Sequence, residues 1–235
     1  MKIIPAILPS SFRAIDYGVQ KVADIVDTVQ IDFVDGFFAP NRTWWFNRKD
    51  EHMRDALLNE SVGMPEWEHM NYEFDLMIKD PLQHMDTFIA LGPSKIIFHV
   101  EGLNAEEMLA YFEHLPLVIK ENITFGIALG NDTDPATLAP YMPYITSIQC
   151  MGIAEVGYQG RPFDTRVLDQ IQKVKELYPD KTITVDGAVT AQTIGQLATQ
   201  GATEFVVGSA IFQSSDPRGT IEELLTLCTS SHHEN

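Results

Sequence analysis

Three aspartates interrupt apolar runs of the kind that form buried strands: Asp32 in VQIDFV, Asp75 in YEFDLMI and Asp186 in TITVD. A carboxylate withdrawn from water without a partner is strongly disfavoured, so each needs hydrogen-bond donors, a cation or a shifted pKa. Any one of them alone is equally well explained by backbone N–H or Lys/Arg partners at a strand end. If all three meet at one place, they require protons or a divalent cation, because like charges that close cannot all stay ionised. The chemistry implied is a metal site or proton transfer. Two acids facing opposite sides of a substrate carbon could take a proton from one face and return it on the other.

A second pattern is VDGAV (185–189) followed by VVGSAIF (206–212). In each a strand runs into a glycine turn and a helix start. Gly187, Ala188, Gly208 and Ser209 are therefore expected to bring backbone N–H groups close to an anion. VGYQGRPF (156–163) adds a third glycine-bearing loop. Each piece alone reads as an ordinary turn; the three in this order point to a phosphate site at the mouth of a barrel.

Elements that could position these groups are visible along the chain. Short apolar runs at 2–8, 29–34, 72–78, 95–100, 123–129, 145–151, 182–186 and 204–209 read as strands. Amphipathic stretches at 14–27, 104–115, 164–178 and 191–200 read as helices. This alternation predicts the α/β class and a single (β/α)8 TIM barrel. A doubly wound open sheet is the rival, disfavoured because the first strand is followed by no dinucleotide-type glycine turn. No linker divides the chain, so one domain is expected over 1–229, with a polar tail, 230–235, whose histidines face solvent.

The formal charge of −17 over 235 residues argues against nucleic acid or an anionic membrane as partner. An anionic ligand would need local backbone N–H groups rather than help from the overall field. No apolar run approaches the roughly 18 residues that cross a bilayer. Pro5 and Pro9 break the apolar start, so no signal peptide is expected. Cys150 and Cys228 lack metal-like spacing and read as buried, reduced residues of a cytoplasmic protein.

Several segments together, PAILPSSF (5–12), QIDFVDGFFAPN (30–41), FDLMIKDP (74–81), FHVEG (98–102), MGIAEVGYQGRPF (151–163), TVDGAVT (184–190) and VVGSAIF (206–212), resemble the ribulose-phosphate 3-epimerase family. That resemblance implies a ribulose-phosphate-binding barrel, a ketose phosphate substrate and epimerisation at C3 through an enediolate. It assigns the acid/base pair to Asp32 and Asp186, and a divalent metal bound to the enediolate oxygens as Lewis acid. It sets Met77 and Met151 over the reacting carbons, with Val34 where the family has a third methionine. The phosphate is expected on Gly160, Gly187 and the Gly208–Ser209 turn. His99 matches a strand-four histidine, with a hydrogen-bonded core role as the plainer reading. A homo-oligomer is the family's usual state.

The departures are specific. Two metal-binding histidines of the family are Gln30 and Asp75 in this chain, so the implied metal shell is Gln30, Asp32, Asp75 and Asp186. Three carboxylates exceed the charge of a divalent cation, which opposes an anionic intermediate unless a proton or Arg161 compensates. An all-oxygen shell favours Mg²⁺ or Mn²⁺ over Zn²⁺. Pro9 stands at a family serine, and Arg161 replaces a glutamine near the substrate. Trp44, Trp45 and Phe46 replace small residues after PNRT, and are expected to line the pocket mouth or to form a subunit contact. Arg42, Arg48 and Lys49 could form a positive collar around them. Two other functions compete with epimerisation: a phosphosugar-binding protein without turnover, and a decarboxylating lyase. The lyase is the weaker, because the Asp-x-Lys-x-x-Asp spacing of such barrels is absent around Asp75, Lys79 and Asp80.

Overall fold

The computed structural model describes residues 1–232. Among them the strands are β1 Lys2–Ile7, β2 Thr28–Val34, β3 Asn71–Met77, β4 Lys95–His99, β5 Thr124–Leu129, β6 Ser147–Met151, β7 Thr182–Asp186 and β8 Glu204–Val207. They pair in parallel and in sequence order, and β1 also pairs with β8. The barrel is closed, which removes the open-sheet rival: a doubly wound sheet would end in two unpaired edges. The helices are α1 Phe12–Val22, α2 Glu51–Leu58, α3 Met85–Ala90, α4 Ala105–His114, α5 Leu117–Asn122, α6 Arg166–Leu177, α7 Ile194–Gln200, α8 Ser209–Phe212 and α9 Pro217–His232.

Local signals explain where helices start. The Ser11 hydroxyl accepts the Ala14 N–H at 3.2 Å, so α1 starts earlier than its apolar period alone suggests. Asn104 Oδ1 accepts the N–H groups of Glu106 and Glu107 and caps α4. α2, which the apolar pattern does not announce, follows Asp50 in the left-handed region at φ 53°.

Each strand separates two environments, as the period-two geometry of a strand requires. Ile31, Phe33, Phe74, Leu76, Phe98, Ile127 and Ile148 face the helices and join one core with Val19, Phe88, Phe112 and Val174. Burying each such side chain contributes about 1.5–3 kcal/mol. The alternate residues face the barrel axis, and many are polar yet buried: Thr28, Gln30, Asp32, Glu73, Asp75, His99, Ser147, Gln149 and Thr184. Near the amino-terminal end of the barrel Lys95 Nζ lies 3.1 Å from Glu73 and 3.2 Å from Glu204. The Thr184 hydroxyl donates to Glu204 at 3.0 Å.

Two expectations change. Trp44 is fully buried and Trp45 is 9% exposed, so neither forms a pocket mouth or an exposed subunit contact. They meet edge to face at 5.3 Å and pack with Phe12 and Phe88 behind the β2 loop. The burial available to an indole outweighs any rim position. Of the three cations expected to form a collar, Arg42 has its Nε tied to the Asp35 carbonyl at 3.1 Å. At the other end, α9 continues to His232, so part of the expected tail is helical; residues 233–235 lie outside the described ones. The Ser231 hydroxyl bonds back to the Leu227 carbonyl at 2.9 Å within that last turn. Cys150 and Cys228 are buried and unbridged.

Candidate active site

Asp32 and Asp75 are register partners on β2 and β3, both facing the axis, and Asp186 ends β7. One carboxylate oxygen from each lies within 4.8 Å of the others. Gln30, one inward step below Asp32, donates its amide to Asp32 Oδ1 at 2.9 Å and to Asp186 Oδ2 at 3.1 Å. Thus the four residues expected to form a metal shell are brought together, with the Gln30 NH₂ as the bridge between the two acids.

Two further side chains complete the cluster. Gln149, on β6, donates Nε2 to Asp75 Oδ2 at 2.9 Å and reaches Asp186 Oδ2 at 3.5 Å. His99 Nε2 lies 2.8 Å from Asp75 Oδ1, with both side chains almost wholly buried. His99 is therefore a hydrogen-bonded core histidine that touches the acid cluster. Gln149 is a neutral amide and so is not marked, as the aspartates are, by a charge within an apolar strand. Its signal in the sequence is the alternation of SIQCM, in which Ser147, Gln149 and Met151 share one face.

Electrostatics follow from this crowding. Burial, then Asp186 and Asp75, hold the Asp32 carboxyl well above its ordinary range, against the opposing Gln30 hydrogen bond. Burial and the nearby Asp75 push Asp186 up to about 7, with Gln30 and His99 opposing. Burial alone would lower the His99 pKa, but the Asp75 carboxylate outweighs it and raises it.

Above the acids lies a cavity of about 280 Å³. Asp32 and Asp186 line it together with Met77 and Met151. Gly187, Ala188, Gly208 and Ser209 form another side, and Gly160 and Arg161 come from the loop after β6. Gln30 and Asp75 lie deeper, fully buried. Gly187 and Ala188 adopt φ of 98° and 52°, so the turn after Asp186 runs through the left-handed region. Gly152 allows β6 to approach that turn: a Cβ there would stand 2.1 Å from the Gly187 carbonyl oxygen. Its N–H donates to the Asp186 carbonyl at 2.7 Å. Gln159, also in the cavity wall, donates to the Ala6 carbonyl at 3.0 Å. It lies so close to Gly208 that a Cβ there would meet its amide at 2.4 Å. Arg161 pairs with Glu155 at 3.1 Å, both well exposed, and stacks on Tyr158 at 4.5 Å.

The donor set fits a divalent cation. Oxygens this close can reach one ion at the 2.0–2.6 Å bond lengths of Mg²⁺, Mn²⁺ or Ca²⁺, roughly. Two buried amide oxygens, Gln30 Oε1 and Gln149 Oε1, have no hydrogen-bond partner among the described residues. Such orphaned acceptors beside three acids are suited to a cation.

A closed (β/α)8 barrel with acids at its strand ends and glycine turns after β7 and β8 belongs to the ribulose-phosphate-binding class of TIM barrels. Residues 2–212 match the ribulose-phosphate 3-epimerase family model, and the chain belongs to that family. It is 30% identical over 241 residues to the ribulose-phosphate 3-epimerase of Escherichia coli K12, covering 99% of this chain and 98% of that one. The ribulose-phosphate 3-epimerase of Eremothecium gossypii is 28% identical over 222 residues, covering 93% and 89%. Among solved structures, 3-hexulose-6-phosphate synthase from Salmonella typhimurium superposes with a TM-score of 0.67 at 17% identity, covering 99% and 100%. 3-Keto-L-gulonate-6-phosphate decarboxylase from Vibrio cholerae superposes with a TM-score of 0.65 at 14% identity, covering 97% of each chain. These two likenesses concern the fold.

Proposed function

We propose that the chain is a ketose-phosphate 3-epimerase in which Asp32 and Asp186 exchange a proton with C3 from opposite faces. The observation that carries this reading is that both acids line the cavity bounded by the glycine turns. The sugar lies with its phosphate against Gly160, Gly187, Ala188 and the Gly208–Ser209 turn, where backbone N–H groups supply the positive end. Arg161 reaches the same phosphate, because its surface pairing with Glu155 is weak and easily exchanged. Met77 and Met151 cover the reacting carbons and exclude water.

A two-base transfer requires one acid ionised and the other protonated at the start. Crowding favours that mixed state, since full ionisation of the cluster is opposed by burial and mutual repulsion. The ionised member removes the C3 proton to give an enediolate, and the protonated member delivers a proton to the other face. Gln30, which donates to both, holds the two carboxyl groups in register in the cation-free site. Asp32, Asp75, Asp186 and Gln30 would hold a Mg²⁺ or Mn²⁺ ion, and the chemistry it would supply is Lewis-acid polarisation of the sugar's carbonyl.

A second reading is a phosphosugar-binding protein without turnover. The observation favouring it is that the Gln30 amide engages both acids at once, which lowers their freedom to act as bases. Incubation of ribulose 5-phosphate and C6 ketose phosphates in D₂O, followed by proton NMR, separates the two. Epimerisation incorporates deuterium at C3, and Asp32→Asn and Asp186→Asn suppress it. Thermal stabilisation by the sugar without deuterium uptake, with Mg²⁺ or Mn²⁺ present, supports the binding reading instead.

A further inference from the structure

The barrel interior contains two primary amides in matching positions, and their pairing with the acids is asymmetric. Gln30 and Gln149, 0% and 1% exposed, both turn NH₂ toward the carboxylates. Both leave Oε1 buried without a partner among the described residues. With no cation between the acids this orientation is the favourable one, since N–H groups face carboxylate oxygens. It nevertheless strands two good metal-ligating oxygens in a dry interior, where an unmet acceptor is disfavoured.

The nitrogen and oxygen of a primary amide occupy nearly equivalent volumes, so a half-turn exchanges them without displacing a neighbour. After such a turn each oxygen would occupy the place of the present Nε2. Those places are 2.9 and 3.1 Å from the acids for Gln30, and 2.9 and 3.5 Å for Gln149. Adjacent oxygens of an octahedral shell with bonds near 2.1 Å stand about 3 Å apart. The spacing therefore suits ligands to one ion as well as it suits hydrogen bonds.

We infer that Gln149 is a ligand of the cation site, and that Gln30 and Gln149 act as amide rotors: NH₂ inward without a cation, carbonyl inward with one. The shell is then five protein oxygens, from Asp32, Asp75, Asp186, Gln30 and Gln149. A neutral amide adds a ligand without adding charge, which matters where three carboxylates already exceed a dication. This inference rests on the metal-dependent reading above.

Mn²⁺ affinity, measured by calorimetry and by the EPR signal of free ion in the absence of sugar, tests it in the full chain. Gln149→Leu and Gln149→Met should each weaken Mn²⁺ binding by about tenfold or more, the range in which loss of support around a metal falls. Gln149→Glu should restore or strengthen it. If Gln149 serves only as a donor to the acids, its removal frees Asp75 and Asp186 for the ion. Gln149→Leu and Gln149→Met would then bind Mn²⁺ as tightly as the wild type or more tightly, which overturns the inference. Absence of Mn²⁺ and Mg²⁺ binding in the wild type also overturns it. Should Gln149→Leu fail to fold, as judged by circular dichroism, Gln149→Met keeps the side-chain volume and Gln149→Glu its shape. Because no sugar is present, a failed D₂O exchange experiment with intact Mn²⁺ binding condemns the epimerase reading and not the ligand assignment.

Discussion

Replacing Asp186 with Asn should remove part of the pH dependence of folding. In the metal-free protein the Asp186 carboxyl titrates near 7 instead of its ordinary 3.8, chiefly because it is buried beside Asp75. Between those values the folded chain retains a proton that the unfolded chain has released. Stability therefore falls as pH rises from about 4 to about 7, and is constant outside that window as far as this group is concerned. A displacement of roughly three pKa units corresponds to about 4 kcal/mol, as an upper limit before relaxation of the site. Asn cannot ionise, and its side-chain oxygen can still accept from Gln30. Urea unfolding of both proteins at pH 5, 6, 7 and 8 in a chelating buffer should show the Asn variant gaining relative to wild type across this range. The gain should reach a few kcal/mol by pH 8, and Mg²⁺ or Mn²⁺ should narrow it by stabilising the wild type. A constant offset between the two proteins across pH would refute the reasoning: the acids would then be neither crowded nor proton-sharing.

Asp32→Asn should reduce C3 deuterium incorporation by about 10²–10⁴, the usual worth of a positioned acid or base, with sugar binding followed by thermal shift largely retained. Lys95→Met leaves the buried Glu73 and the half-buried Glu204 without their shared cation and should lower stability by about 3–5 kcal/mol in urea unfolding. Trp44→Ala empties a wholly buried indole site and should cost about 3–5 kcal/mol by the same measurement. Ala188→Gly should stabilise by up to about 1 kcal/mol, because an L-residue at φ 52° is strained by more than the added flexibility of glycine removes.

The sequence by itself determined the alternation of strands and helices. Apolar runs of strand length separated by amphipathic stretches admit few other packings once both faces of every strand must be covered. It also marked Asp32, Asp75 and Asp186, because an acid within VQIDFV or YEFDLMI has no reason to be there unless something receives it. The glycine turns at 187 and 208 were readable for the same kind of reason, as places where backbone must approach closely.

What only the tertiary structure decided is which polar residues share the barrel axis. Gln30, Gln149 and His99 are separated by up to 119 positions, yet they surround the same three acids because register in a closed barrel aligns their strands. A lone glutamine on a strand carries no sign of its partner, since an amide suits solvent, backbone and carboxylate alike. The tryptophans mark the same limit from the other side. The pair at 44 and 45 follows a strand leading to the mouth, but the space behind that loop, lined by Phe12 and Phe88, is a property of the assembled layers. Periodicity is a local property of the chain and survives in the sequence; burial is a property of what the neighbours leave open, and is settled only when they meet.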